Sequence, residues 1–346
     1  MNVGAVRLPA EWETPAAIWI AWPHNRNTWP ERFDPVPAVF SEIVAKLTDA
    51  VDVCILATPD LQGPASQRLA AARADARRIR WFPIATNDCW IRDYGPQFLR
   101  RQESGSTSLV AVDFRFNAWG RKYSPFDDDD RAGGTIAASA SVACHRSSLI
   151  VEGGALETDG QGRLLTTTAC LTDEDRNPGC SVDEIASKLN QLLGIDEIVW
   201  LEGKGLEGDD TDGHIDQLAR FIDRRNVVVA ACDDPNDPNH DTLQQHYHQL
   251  RLWADQTHPR VEVHQLLIPA AREIDGHRLP ESYCNFLRVG PSMILLPTFR
   301  CPESDRRATD MLQSLCHSAK IVPVDCYDLS WGLGAIHCAT LNQPRP

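Results

Sequence analysis

The sequence predicts an α/β protein in which strands and helices alternate along its 346 residues. Three observations predict it. Short apolar runs rich in Val, Ile and Leu recur from one end to the other. Between several of them, apolar positions repeat at helical spacing. Polar, glycine-containing segments recur roughly every 50–60 residues, near 87–96, 152–154, 212–217, 283–288 and 331–340. That interval is compatible with a repeated unit arranged in a ring. Two parallel-sheet domains fit it almost as well.

Taken in order, the first strand-like run is Ala17–Trp22. A helical pattern follows over Pro37–Ala50, where Val39, Phe40, Ile43, Val44 and Leu47 share one face. Strands are then expected at Val51–Ala57, Ser108–Phe114, Ser148–Val151 and Arg163–Thr168. Ser181–Leu193 reads as a helix: Ser181 with Glu184 three residues on forms a capping box, and Gly194 supplies the stop. Glu197–Trp200 and Val227–Ala231 are strand-like, Thr242–Asp255 is helical, and Arg260–Leu267 and Ser292–Pro297 are strand-like. Asp305–Ala319 is helical and Ala319–Pro323 closes the series as a strand. The acidic run Asp127 to Asp130, beside Ser124-Pro125-Phe126 and Gly133-Gly134, reads as a solvated loop, as does 233–239 by composition.

Composition narrows the function. Asp and Glu number 48 against 34 Lys and Arg, a net charge of −14. Nucleic-acid binding needs a basic footprint and is excluded on that ground, whereas a cationic substrate is tolerated. Hydrophobic residues at 42% and charged residues at 24% are ordinary for a soluble globular chain. No run approaches the ~18 apolar residues of a membrane span, and the N-terminal segment lacks the pattern of a signal peptide. The expected compartment is the cytoplasm, where the eleven cysteines are reduced thiols. None shows C-x-x-C spacing.

Four segments can carry chemistry. The first, Asn87-Asp88-Cys89-Trp90-Ile91-Arg92-Asp93-Tyr94-Gly95-Pro96, is either a surface turn or a site where a Trp face and a carboxylate meet a planar cation. In the second, Val151-Glu152-Gly153-Gly154, a carboxylate stands at a strand end. In the third, Asp209 to Asp216, alternation around Ile215 would put His214 and Asp216 on one face of an extended segment. That pair suits general acid/base work, metal ligation, or a hydrogen-bonded structural His. The fourth, Trp331 to Thr340, carries Cys338 behind two glycines. A thiol there is a nucleophile if a nearby cation favours its thiolate, and otherwise an inert buried group. The remaining histidines read as bland: His246 and His248 as solvent-facing, His337 as pointing away from Cys338.

Read together, W-I-R-D-x-G-P, E-G-G, G-H-I-D and G-x-I-H-C resemble the agmatine deiminase and bacterial-type peptidylarginine deiminase family of the guanidine-modifying pentein superfamily. Arg7 to Glu13, Ile20 to Pro23, Phe116 to Gly120, Leu164 to Thr167, Arg176 to Pro178 and Tyr283 to Phe286 resemble family segments as well, so the likeness covers 7–344. It implies a single domain over 1–346, a five-bladed pseudo-symmetric α/β propeller of ββαβ-type units around a central site. It implies Cys338 as nucleophile, His214 as general acid/base, Asp93 and Asp216 as guanidinium ligands, and Glu152 as the carboxylate that supports His214 and the substrate nitrogens. Trp90, Asp210, Gly334 and Asp88 would line the substrate site. No metal or organic cofactor is implied. The partner is a small cationic guanidine, agmatine first and free or peptidyl arginine second, and a homodimer is compatible with the family.

The sequence departs from the family pattern near the substrate tail. Where G-G-G-N-I-H-C is usual, Leu333 replaces a Gly and Ala335 an Asn, and Asp210 stands where a Glu is common. Two rival readings share the same residues. One is a metallohydrolase ligated by Asp93, His214 and Asp216; the other is a cation-binding protein without catalysis.

Overall fold

The structure is a computed structural model that describes residues 6–103 and 105–346. Met1 to Ala5, part of the segment read above for a targeting signal, lie outside them.

Among the described residues, one pairing scheme occurs five times: two antiparallel strands, then a helix, then a strand parallel to the second. Gln97–Glu103 and Ser106–Arg115 pair antiparallel, and helix Asp127–Ser139 leads to the parallel Ala143–Ile150. Glu157–Thr158, Arg163–Thr167, helix Val182–Leu193 and Glu197–Leu201 repeat the order. So do Ala219–Asp223, Asn226–Ala231, helix His240–Ala254 and Glu262–Leu267. Leu287–Val289, Met293–Thr298, helix Pro302–Leu315 and Lys320–Asp325 make the fourth. In the fifth the chain ends meet: Leu341–Pro344 pairs antiparallel with Pro15–Ala21, and helix Val36–Thr48 leads to the parallel Asp52–Leu56. This sheet continues through helix Pro59–Ala71 to Ile79–Phe82. A parallel crossover needs a helix to span it, and the central strands are covered on both sides. Asn226–Ala231 accordingly reads almost wholly apolar, with Val227 to Ala231 all buried.

Each polar segment singled out above runs into the first strand of one unit. The turn Ile91–Tyr94 precedes Gln97, the turn Gly153–Ala155 precedes Glu157, and the turn Ile215–Leu218 precedes Ala219. Residues 283–286 precede Leu287, and 331–340 precede Leu341. The site-forming residues thus occupy equivalent places in five units.

Local chemistry explains the helix ends. Ser181 and Glu184 form the expected capping box. Gly194 closes that helix at φ 67°, where a Cβ would lie 1.9 Å from the Val6 carbonyl oxygen, so only glycine fits.

Three expectations are corrected. The acidic run 127–130 is the first turn of helix Asp127–Ser139 rather than a loop. Carboxylates there face the positive end of the helix dipole, and the buried Asp129 accepts the backbone N–H of Asn87 at 2.7 Å. His214 caps a helical turn, so the segment is not extended. His246 is fully buried with neither ring nitrogen hydrogen-bonded, and only His248 faces solvent. The antiparallel strands Gln97–Glu103, Ala219–Asp223 and Leu341–Pro344 escaped the sequence reading because polar residues interrupt their short apolar runs.

Candidate active site

Asp93 comes from the turn Ile91–Tyr94, which Gly95 ends. Its Oδ1 accepts the Gly154 N–H at 3.0 Å and its Oδ2 accepts the Trp119 indole N–H at 2.9 Å. Burial pushes Asp93 up to about 6; neighbouring Asp216 and Glu152 add to the rise, while His214 and Trp119 oppose it. Glu152 is fully buried, and both its oxygens accept from Arg176 Nε, at 2.9 and 3.1 Å. Burial alone would raise Glu152, but Arg176 outweighs it and holds the carboxyl at about 2.

His214 stands between these carboxylates. Its Nδ1 is 3.6 Å from Asp93 Oδ1 and its Nε2 is 3.9 Å from Glu152 Oε2. Neither nitrogen has a hydrogen-bond partner, although the residue is fully buried. Burial opposes protonation of the ring, yet the negative charge of Asp93 overrides it and raises His214 well above its usual value. Asp216 uses one oxygen only. Its Oδ2 accepts from Asn285 Nδ2 at 3.1 Å, lies 2.7 Å from His337 Nδ1 and 3.5 Å from Cys338 Sγ. Its Oδ1 is buried without a partner. The Cys338 sulfur accepts from Asn285 Nδ2 at 3.1 Å. Burial, with Asp216 and Asp93 beside it, pushes this thiol well above its usual range, so it waits for a positive charge.

Two glycines make the convergence possible. A methyl group on Gly154 would sit 2.5 Å from His214 Nδ1, 2.7 Å from Asp93 Oδ1 and 3.2 Å from Asp216 Oδ2. One on Gly334 would sit 2.7 Å from the Trp90 ring and 3.1 Å from Cys338 Cβ. Leu333, where the resemblance expects Gly, adopts φ 65°. A leucine there carries left-handed strain of about 1 kcal/mol.

Cys338 and Asp93 reach a cavity of about 1020 Å³, with Trp90, Trp119 and Trp331 among its lining. His214, Glu152 and Asp216 are buried around the same point. Of the other expected residues, Trp90, Gly334, Asp88 and Asp210 all line the cavity. Asp210 accepts from the Tyr123 hydroxyl at 2.5 Å, and Asp88 from Thr28 at 2.5 Å. Asp129, Glu207 and Asp275 add further carboxylates to the lining. The arginines there are already paired, Arg26 with Asp34 at 2.6 Å and Arg278 with Asp237 at 3.0 Å.

Sequence reasoning missed several contributors. Asn285 lies in the 283–286 segment, quoted above without a role, and Trp119 and Arg176 lie in segments noted only for resemblance. Gly154 lies in the Glu152 segment, where only the carboxylate is given a role, and Asp129 lies in the run expected to be solvated. His337, expected to be bland, touches Asp216.

Among the described residues, the donor group with spacing for a metal ion is Glu152, Cys170 and His214, all within 4.8 Å of one another. This is not the expected trio of Asp93, His214 and Asp216. The Arg176 guanidinium already neutralises Glu152 there, which opposes a second cation. The arrangement suits a flat cation instead: unpartnered acceptors, a sulfur nucleophile, and an imidazole that can carry a proton.

Residues 7–344 match the Porphyromonas-type peptidyl-arginine deiminase family. The chain is 33% identical to the agmatine deiminase of Ectopseudomonas mendocina over 364 residues, covering 98% of this chain and 95% of that one. It is likewise 33% identical to the agmatine deiminase of Pseudomonas aeruginosa over 365 residues, covering 98% and 96%. Among solved structures, the agmatine deiminase of Enterococcus faecalis superposes with a TM-score of 0.89 at 28% identity, covering 99% and 96%. A serine variant of the C. jejuni agmatine deiminase with substrate bound gives 0.88 at 26%, covering 100% and 98%.

Proposed function

The chain belongs to the Porphyromonas-type peptidyl-arginine deiminase family, and on that premise we propose that it hydrolyses agmatine to N-carbamoylputrescine and ammonia through a covalent adduct on Cys338. The observation that carries this reading is the set of buried, unpartnered atoms grouped around the thiol: both nitrogens of His214 and Oδ1 of Asp216. Buried polar groups are ordinarily satisfied, and three orphans together fit a site whose partner is the substrate. The likeness to the solved agmatine deiminases supports reading the five ββαβ units as blades around this centre, which would bring their equivalent turns together.

In this reading Asp93 and Asp216 hold the guanidinium N–H groups and present its carbon to Cys338. The cation lowers the thiol pKa, and the thiol proton is released as the substrate enters. The thiolate bonds to carbon and a neutral tetrahedral adduct forms. Protonated His214 gives its proton to one NH₂ group, the C–N bond breaks, and ammonia leaves an S-alkylthiouronium. Neutral His214 then takes a proton from water as the oxygen bonds to carbon. The C–S bond breaks, the hydroxyl proton passes to the leaving sulfur, and the ureido product departs. Glu152, neutralised by Arg176, holds the imidazole between the two carboxylates. Trp90 and Gly334 shape the slot.

The acidic cavity lining favours an ammonium tail. Asp88 and Asp210 are placed to receive it, and the lining arginines are already occupied by aspartates, which disfavours the carboxylate of free arginine. Agmatine, arginine and a peptide bearing arginine should therefore be assayed side by side for ammonia, with Cys338→Ala as control. Agmatine turnover with a thiouronium adduct on Cys338 by mass spectrometry supports the proposal. Peptide turnover without agmatine turnover replaces the substrate, and activity that survives in Cys338→Ala but not in chelator replaces the mechanism with a metal-dependent one.

A further inference from the structure

We propose that His337 is a positioning residue: held as an imidazolium between two carboxylates, it keeps Asp216 ionised and fixes its Oδ2 beside Cys338, leaving Oδ1 unengaged for the guanidinium. The inference rests on the deiminase reading.

His337 is 1% exposed. Its Nδ1 is 2.7 Å from Asp216 Oδ2 and its Nε2 is 2.9 Å from Glu11 Oε1. Ionised carboxylates only accept, so a ring between two of them donates from both nitrogens and carries a full charge. Glu11 is held on its far side by two arginines, Arg92 to Oε1 at 2.8 Å and Arg220 to Oε2 at 2.8 Å. Charge therefore alternates along a buried chain from Asp216 through His337 and Glu11 to the arginines. Every neighbouring charge fits this assignment. Arg92 Nε also donates to the His337 carbonyl at 3.3 Å, and Glu157 is neutralised by Arg220 at 2.7 Å. Asn285, the remaining close polar neighbour, is neutral.

Asp93 and Asp216 both approach the gap above Gly154, and two like charges so placed would otherwise share one proton. The imidazolium breaks that tie. Burial raises both, but the hydrogen bond and charge of His337 outweigh it and lower Asp216, whereas Asp93, whose imidazole neighbour His214 stands 3.6 Å away without a hydrogen bond, is raised. A separate cavity of about 60 Å³, lined by Glu11, Arg92, His337 and Asn342, lies against the other end of the ring and shares no lining residue with the substrate cavity.

The test is the pH profile of His337→Gln, which keeps a donor and loses the charge. The acid limb of kcat/KM, set by Asp93 in the wild type, should move to higher pH as ionisation of Asp216 comes to limit it too, with KM for agmatine raised roughly ten-fold at pH 6 and kcat at pH 8 changed less than about three-fold. A uniform loss at every pH, or no change, overturns the proposal. Glu11→Gln, at a side chain that does not meet substrate, weakens the ring's anchor at Nε2 and should raise KM for agmatine more than it lowers kcat; an unmoved KM counts against the proposal. The ¹⁵N spectrum of the His337 ring reads the charge without substrate. A singly protonated ring at pH 7 overturns the proposal even if the variants fail to fold. A wild-type enzyme that turns over no guanidine overturns the functional reading instead.

Discussion

Glu152→Gln offers a direct measure of what the buried Glu152–Arg176 pair contributes. Both side chains are fully buried, and the carboxyl is held at about 2 against 4.5 in the unfolded chain. That difference corresponds to ~3 kcal/mol at neutral pH. An independent expectation agrees: removing one partner of a buried ion pair costs about 3–5 kcal/mol. Arg176 keeps Asp212 at 2.7 Å and the Thr211 carbonyl at 3.0 Å, which places the loss at the low end of that range. For 346 residues at ~2.1 cal/mol/K each, ~3 kcal/mol is a fall in Tm of about 4 °C. The pH dependence is the sharper test. A depressed carboxyl stabilises the fold fully above its unfolded value and loses that contribution as pH falls toward its folded value. The gap between wild type and variant should therefore narrow from ~3 kcal/mol at pH 7 to ~2 kcal/mol at pH 3.5. Calorimetry at the two pH values measures it. A gap that is absent at pH 7, or that stays constant or widens on acidification, would show that Arg176 does not hold Glu152 ionised in the fold.

Three further outcomes follow from the site and the core. Because Asp93 titrates at about 6 in the free protein, kcat/KM for the guanidine should fall about ten-fold per pH unit below that value; Trp119→Phe, which removes the donor on Oδ2, should move the fall to higher pH. Gly154→Ala puts a methyl 2.5 Å from His214 Nδ1 and should cut kcat/KM at least ~100-fold, and retention of activity in a stopped-flow ammonia assay would contradict the convergence described for that point. His246 is buried unpaired and pushed down to about 4, so it must charge on unfolding in mild acid. His246→Leu should raise Tm, by an amount that grows as pH drops from 7 to 5, and thermal scans showing a pH-independent difference would refute this.

How much was legible in the sequence depended on the range of each signal. Ser181, Glu184 and Gly194 announce a helix and its ends because capping is chemistry among neighbours three or four residues apart. Cys338, His214, Asp93, Asp216 and Glu152 could be nominated because each sits in a short segment whose residue types, taken with the family resemblance, suit one reaction. The composition of the acidic run at 127–130 suits a solvated loop and a helix N-terminus equally, and the partners that satisfy the helix start lie some forty residues away: Asn87 Oδ1 accepts the Asp128 N–H at 2.8 Å and Asp129 accepts the backbone N–H groups of Asn87 and Asp88.

By itself, the sequence determined the alternation of strands and helices, the anionic character and the residue types of the site. Tertiary structure decided which atoms meet. Glu11 and His337 are 326 residues apart and touch, a contact that no local pattern encodes. It also decided the unequal acidity of Asp93 and Asp216, because two aspartates are chemically identical until burial and neighbouring charge distinguish them.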